Sequence, residues 1–195
     1  QKVYEFFFIK ILKFALSKYK SNNLCLSGGC ALNSSANGKI KNELNFRNIF
    51  IPYAPADGGG AIGCALIYLK KQKKINHFKN LISPYIGPFF EEKVIIKALD
   101  KIDSEKFIIE RFDNMENLNE AVAKKISNGR IIGWFQDRIE FGARALGNRS
   151  ILADPRNKDI RKIINSKIKK REDFRPFAPS VLSEYKDDWF KENFY

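Results

Sequence analysis

Two glycine turns about thirty residues apart constrain the fold more than any other feature of the sequence. Gly28-Gly29 follows a short apolar run at residues 23–27 and precedes a helix-like stretch at 30–44. Asp57-Gly58-Gly59-Gly60 follows a second strand-like run at 48–53 and reads as a loop before a small-residue helix at 61–71. Strand, glycine turn, helix, repeated once, is the pattern of an α/β fold. In such folds ligands gather at the strand ends, where glycine lets the backbone approach closely and a helix start offers free N–H groups. Apolar and Lys spacing over residues 2–20 predicts a helix ahead of the first strand.

The Lys cluster after residue 71, followed by Ser83-Pro84 and Gly87-Pro88, predicts a boundary. The expected organisation is a first domain at 1–75, a linker at 76–90 and a second domain at 91–195. In the second, helices are expected at 91–102, 116–128 and 158–170. Extended segments are expected at 106–112, 130–136, 149–153 and 176–183. The chain opens on Gln1 rather than Met, which reads as the edge of a longer chain.

Composition narrows the class. Of 195 residues, 44% are hydrophobic and 29% charged, which suits a globular protein. No apolar run reaches membrane-spanning length, so no membrane partner is expected. Cys25, Cys30 and Cys64 form an odd set without a CxxC, and the only histidine, His77, stands in the Lys-rich linker. Buried inert thiols in a reducing cytoplasm are the expectation.

The net charge of +13 is unevenly built. Residues 1–80 carry 13 basic and 3 acidic side chains, nearly all the basic ones Lys. Residues 130–175 carry 13 basic and 6 acidic side chains and hold eight of the ten Arg. Lys on a helix is usually a solvated face, whereas Arg offers a planar fork that grips phosphate or carboxylate. Anion chemistry is therefore expected after residue 129. Arg138, Arg144, Arg149 and Arg156 lie in an irregular Gly-containing stretch and are expected either to converge on one polyanion or to pair with the acids Asp137, Glu140 and Asp154. Further on, Pro176 and Pro179 fix the backbone around Arg175 and Ser180.

Gly28-Gly29-Cys30-Ala31-Leu32-Asn33, Asp57-Gly58-Gly59, residues 140–156 and residues 171–181 together resemble the ATP-dependent O-carbamoyltransferases. These include nodulation protein U and the antibiotic carbamoyltransferases. The resemblance implies the C-terminal part of an actin-like ATPase domain at 1–75 and a YrdC-like α/β domain at 91–195. It implies use of ATP and carbamoyl phosphate to form carbamoyl adenylate, then transfer of the carbamoyl group to a hydroxyl of a small-molecule acceptor. Gly28, Gly29, Asn33, Gly58 and Gly59 would hold the nucleotide, and Asp57 would ligate a divalent metal. That metal would be Mg with ATP, and Fe or similar in the full-length transfer site. Arg144, Arg149, Lys167 and Arg175 would be catalytic, with Ser150, Arg171 and Ser180 lining the same pocket. Fixed positive charge suits a step in which two polyanions meet.

Two departures stand out. Ala143 occupies a position where the family usually has Pro, and the metal-binding His pair of the family has no counterpart here. The resemblance thus implies a missing N-terminal half as partner for the transfer step. A non-catalytic RNA-binding domain and a threonylcarbamoyl-adenylate synthase are the competing readings. Nucleic acid is not the expected partner, because no recognised nucleic-acid motif is present.

Overall fold

The computed structural model describes residues 1–74, 83–103 and 105–190. The chain forms two compact units. One comprises Gln1–Gly87 with Glu140–Arg144, and the other Pro88–Ile139 with residues 145–190. His77 and the rest of residues 76–82 of the expected linker lie outside the described residues.

The first unit is built on helix α1, Lys2–Tyr19. Its residues Ile9 and Leu12, one turn apart, bury against Ile40, Leu44 and Phe46. Leu24, Leu26 and Ile49 complete this core from the sheet side. The sheet pairs β1 (Asn23–Cys25) with β2 (Asn48–Phe50) in parallel, with Leu24 opposite Ile49. Period-two alternation therefore sends Leu24 and Ile49 toward α1 and leaves Cys25 and Phe50 exposed. After β1 the chain makes a 3-10 turn at Gly29–Leu32, then helices α2 (Ser34–Asn37) and α3 (Ile40–Glu43). The single helix expected at 30–44 is thus three short pieces. Asn33 stops the first and caps the second by accepting from the Ala36 N–H at 3.1 Å.

Helix α4 runs Asp57–Lys71, so Asp57-Gly58-Gly59-Gly60 is its first turn rather than a loop. Glycine is a poor helix former, and packing explains its use here. A Cβ on Gly59 would overlap the carbonyl oxygen of Ala54.

In the second unit, α5 spans Glu92–Leu99 and α6 spans Met115–Ser127, the latter capped by the Asn114 side chain. β3 (Ile132–Phe135) pairs antiparallel with β4 (Arg149–Leu152). Asn148, buried at the start of β4, accepts from the Gln136 N–H at 3.0 Å and donates to the Arg138 carbonyl at 2.9 Å. The strand expected at 106–112 is absent, since Ile108 is exposed and no described strand pairs with this run. β-Branched and aromatic residues favour a strand only where cross-strand neighbours cover them. The basic helix expected at 158–170 splits into α7 (Ile160–Ile163) and a π-helical turn, Ile164–Lys169. The segment at 176–183 is irregular until a 3-10 turn at Ser183–Tyr185, followed by helix α8, Lys186–Trp189. The architecture is α/β, with small sheets and many helices. No helix among the described residues is long and apolar enough to cross a membrane.

Candidate functional site

The first unit gathers the glycine turns. Gly28 has φ 93° and ψ 165°, a backbone region essentially reserved for glycine. Its N–H donates to the Pro55 carbonyl at 2.6 Å, and the Ser27 hydroxyl donates to the same oxygen at 3.2 Å. This ties the first turn to the residues just before α4. The Phe141 ring lies against Gly58, where a Cβ would come within 3.3 Å of its Cε1. The Phe141 N–H donates to the Pro84 carbonyl at 2.7 Å. Gly28, Gly58, Gly59 and the strap that ends in Arg144 thus belong to one packed arrangement. Gly29 is exposed, and a Cβ on it would meet nothing within 4 Å. Arg144 is exposed and holds no ion pair among the described residues.

Asn33 is engaged structurally. Besides capping α2 it exchanges two hydrogen bonds with the Gln1 side chain, each 3.1 Å. Nearby, the buried Glu5 carboxylate accepts from Gln1 at 2.9 Å, from Lys39 at 2.6 Å and from Ser35 at 3.1 Å. Those bonds, the one from Gln1 first, lower its pKa to about 2 against the opposing effect of burial. Between α1 and the first glycine turn lies an apolar groove of about 440 Å³, lined by Val3, Phe7, Ile11, Leu26 and Cys30 among others. All three thiols are exposed rather than buried. Cys25 lies on the sheet face opposite the one that packs on α1 and is exposed there.

Asp57 does not by itself make a metal site. It is exposed in the first turn of α4, and among the described residues no group of three His, Cys, Asp or Glu side chains could hold an ion. A divalent metal needs several such donors, so the described residues do not fit the group.

The second unit separates the arginines by their partners. Arg156 is committed to Asp154, with Nε 2.9 and 3.0 Å from the two carboxylate oxygens and Nη2 at 2.6 Å. Hydrogen bonding from Arg156 lowers the Asp154 pKa to about 2. The expected convergence of four arginines on one anion therefore fails for Arg156, whose charge a neighbour two residues away already offsets. Arg175 is paired with Glu172 at 2.7 Å through Nε. Arg149 and Ser150 sit on β4, opposite Phe135 and Trp134. Lys167 lies on the exposed side of the π-turn and Ser180 in the irregular segment beyond, both exposed.

Arg171 is held differently. Its Nε donates to the Asn165 Oδ1 at 2.7 Å, and its backbone N–H donates to the Asn165 carbonyl at 3.0 Å. Its guanidinium lies over the Phe177 ring, 4.9 Å from the centroid. Asn165 is fully buried, and its Nδ2 donates to the carbonyls of Arg175 at 2.9 Å and Asp173 at 3.3 Å. The sequence reading named neither Asn165 nor Phe177 as a site residue. The available signal was an amide directly after Ile163-Ile164 and six residues before an arginine. The π-turn that swings it inward is not visible in the pattern.

Two family models match the chain. Residues 1–66 match the family described as Carbamoyltransferase N-terminus, and residues 123–195 match Carbamoyltransferase C-terminus. The chain is 44% identical over 173 residues to uncharacterized protein sll1178 of Synechocystis sp., covering 87% of this chain and 28% of that one. It is 40% identical over 168 residues to nodulation protein NolO of Bradyrhizobium diazoefficiens, covering 86% and 30%. It is 29% identical over 171 residues to 3'-hydroxymethylcephem-O-carbamoyltransferase of Streptomyces clavuligerus, covering 88% and 30%. The chain thus spans less than a third of the length of these relatives. With both models matched and such relatives along most of its length, the chain belongs to the carbamoyltransferase family.

Proposed function

We propose that this chain is part of an O-carbamoyltransferase that consumes ATP and carbamoyl phosphate. On this reading, carbamoyl phosphate, ATP and one water give carbamoyl adenylate, phosphate and pyrophosphate. The carbamoyl carbon then passes to an acceptor hydroxyl and AMP leaves. The first unit is the C-terminal part of an actin-like ATPase domain, and the second is YrdC-like. The observation that carries the reading is Arg171. It lies in the part matched by the C-terminal family model, is half-buried, and has no carboxylate bonded to it among the described residues. Such a fork stabilises negative charge on phosphoryl oxygens without risk of proton loss. Within the second unit, Arg149 and Lys167 add further positive charge on this reading, and Ser150 and Ser180 add hydroxyl donors.

The remainder of such an enzyme is its natural partner. Along the groove, α1 exposes Val3, Phe7 and Ile11, with Phe14 further along the helix, each more than half accessible and at helical spacing. An apolar stripe of this kind fits a polypeptide surface. We assign it to the additional length that the relatives carry, and with it the transfer step and the choice of acceptor. The exposed thiols fit a reducing, cytoplasmic compartment.

The test is pyrophosphate release from ATP by the purified chain, with and without carbamoyl phosphate. Release that requires carbamoyl phosphate and is lost in Arg171→Ala supports the reading. A folded chain that releases none, alone or with the upstream polypeptide supplied, overturns it. Tight, salt-sensitive RNA binding with no response to carbamoyl phosphate would point to the RNA-binding alternative.

A further inference from the structure

The arginines of the second unit differ in what holds them, and that difference has a chemical consequence. Arg156 and Arg175 are held by carboxylates, which fix the guanidinium and offset its charge in the same act. Arg171 is held by a neutral amide and an aromatic ring, so no carboxylate is bonded to it, and Glu172 beside it feels its charge only through space. Nε is consumed by Asn165 and one π-face by Phe177. Among the described residues no hydrogen bond takes the two Nη atoms. Their edge is the one that grips two oxygens of a phosphoryl group.

The amide orientation at Asn165 is dictated by its partners. An N–H donor faces Oδ1, and two carbonyl oxygens face Nδ2. Only an amide supplies an acceptor and two donors at this size. Lys170, in the left-handed region at φ 48°, turns the chain so that both N–H groups of Arg171 return to Asn165. The π-turn points the Asn165 side chain inward, consistent with the frequent use of such turns at functional sites.

We infer that Asn165 is a positioning residue. It holds Arg171 as a pre-oriented fork, its Nη edge bonded to no carboxylate among the described residues, for a phosphoryl oxyanion, and it orders the 173–175 segment beside that fork. The inference deepens the functional reading above and rests on it only for the identity of the anion.

The experiment is calorimetric titration of inorganic phosphate, pyrophosphate and carbamoyl phosphate into the full chain. The variants are Asn165→Asp, Arg171→Ala, the double variant and Arg171→Lys, with thermal unfolding followed in parallel. Asn165→Asp keeps an acceptor for Nε but sets a carboxylate on the guanidinium and against two carbonyls. It should weaken the tightest-binding probe at least about tenfold, as should Arg171→Ala. The double variant should be no weaker than Arg171→Ala alone, because the amide acts through the arginine. A merely structural amide would lower the unfolding temperature and leave affinity per folded molecule unchanged. Arg171→Lys alters no fully buried residue, so it reads out even if Asn165→Asp fails to fold, and it too should bind at least about tenfold more weakly.

Wild-type affinity in Asn165→Asp or Arg171→Lys overturns the inference. So does an additive double variant, or a wild-type chain that binds none of the three probes. Pyrophosphate binding that depends on Arg171 and Asn165, without carbamoyl-phosphate-dependent release from ATP, would sustain this inference and defeat the functional reading. Release that survives in Arg171→Lys and Asn165→Asp would do the reverse.

Discussion

The glycine-turn region of the first unit and the arginine region of the second are built by opposite means. The first is made of backbone meeting backbone: Gly28 donates to Pro55, and Gly59 lies against Ala54 with no room for a methyl group. The second is made of side chains, with one buried amide joining Arg171 to the carbonyls of 173 and 175. Where packing alone requires a glycine, its presence says little about a ligand. An arginine fixed by neutral groups is harder to explain by packing, since a paired carboxylate would hold it as well. The arginine region therefore carries more of the functional argument.

The largest expected effect tests the first half of this contrast. Gly59→Ala should destabilise the first unit by more than about 3 kcal/mol, because the clash is with backbone that cannot swing aside. Chemical denaturation of the purified chain would measure it. A near-neutral result would mean that α4 does not press on Ala54, and would return the glycine run to the list of ligand contacts.

The second region has its own counterpart. Asn165→Ala removes three side-chain hydrogen bonds from a fully buried position and should cost about 1–3 kcal/mol. If the regions are independent, the Gly59→Ala and Asn165→Ala losses should add. Marked non-additivity in denaturation would merge the two regions into one cooperative structure.

Much of the local pattern was legible in the sequence. The runs at residues 23–25, 48–50, 132–135 and 149–152 alternate or sit between turn residues, and they are strands. The body of α4 and the whole of α6 follow from helical spacing and an Asn cap. The failures share a cause, which is a partner distant in sequence. Residues 57–60 read as a loop because glycine disfavours helix, while the contact that selects Gly59 comes from Ala54 across a turn. Residues 107–109 have strand propensity, but no strand among the described residues pairs with them. Cys25 was expected inside because β1 is apolar, but the sheet face it occupies is exposed. In the candidate site the arginines announced themselves by type. Which of them is bonded to a carboxylate and which to an amide depended on Asp154, Glu172 and Asn165, and spacing alone did not separate those three.

Acid should touch the first region through one residue. The Glu5 pKa is lowered from 4.5 to about 2 by its bonds to Gln1, Lys39 and Ser35. A carboxylate whose folded pKa is depressed stabilises the fold above its unfolded pKa and loses that contribution as pH falls through the folded value. The stability difference between the wild-type chain and Glu5→Gln should therefore be full above about pH 4.5 and vanish toward pH 2. Denaturation midpoints across that range would check it. A difference that is constant with pH would show that the carboxylate contributes by shape rather than charge.

The smallest effect is also the best control. Gly60 is the neighbour of Gly59 in the same helix turn, but a Cβ there would meet nothing within 4 Å. Gly60→Ala removes backbone freedom from the unfolded chain and adds a better helix former, so stability should rise by about 0.5–1 kcal/mol. Opposite signs at adjacent glycines would show that close approach, rather than helix propensity, selects Gly59. Suppose instead that Gly60→Ala leaves stability raised but weakens ATP binding. The open side of this turn would then be a nucleotide contact, and the first region would regain functional weight through Gly60 rather than through the glycine that packing explains.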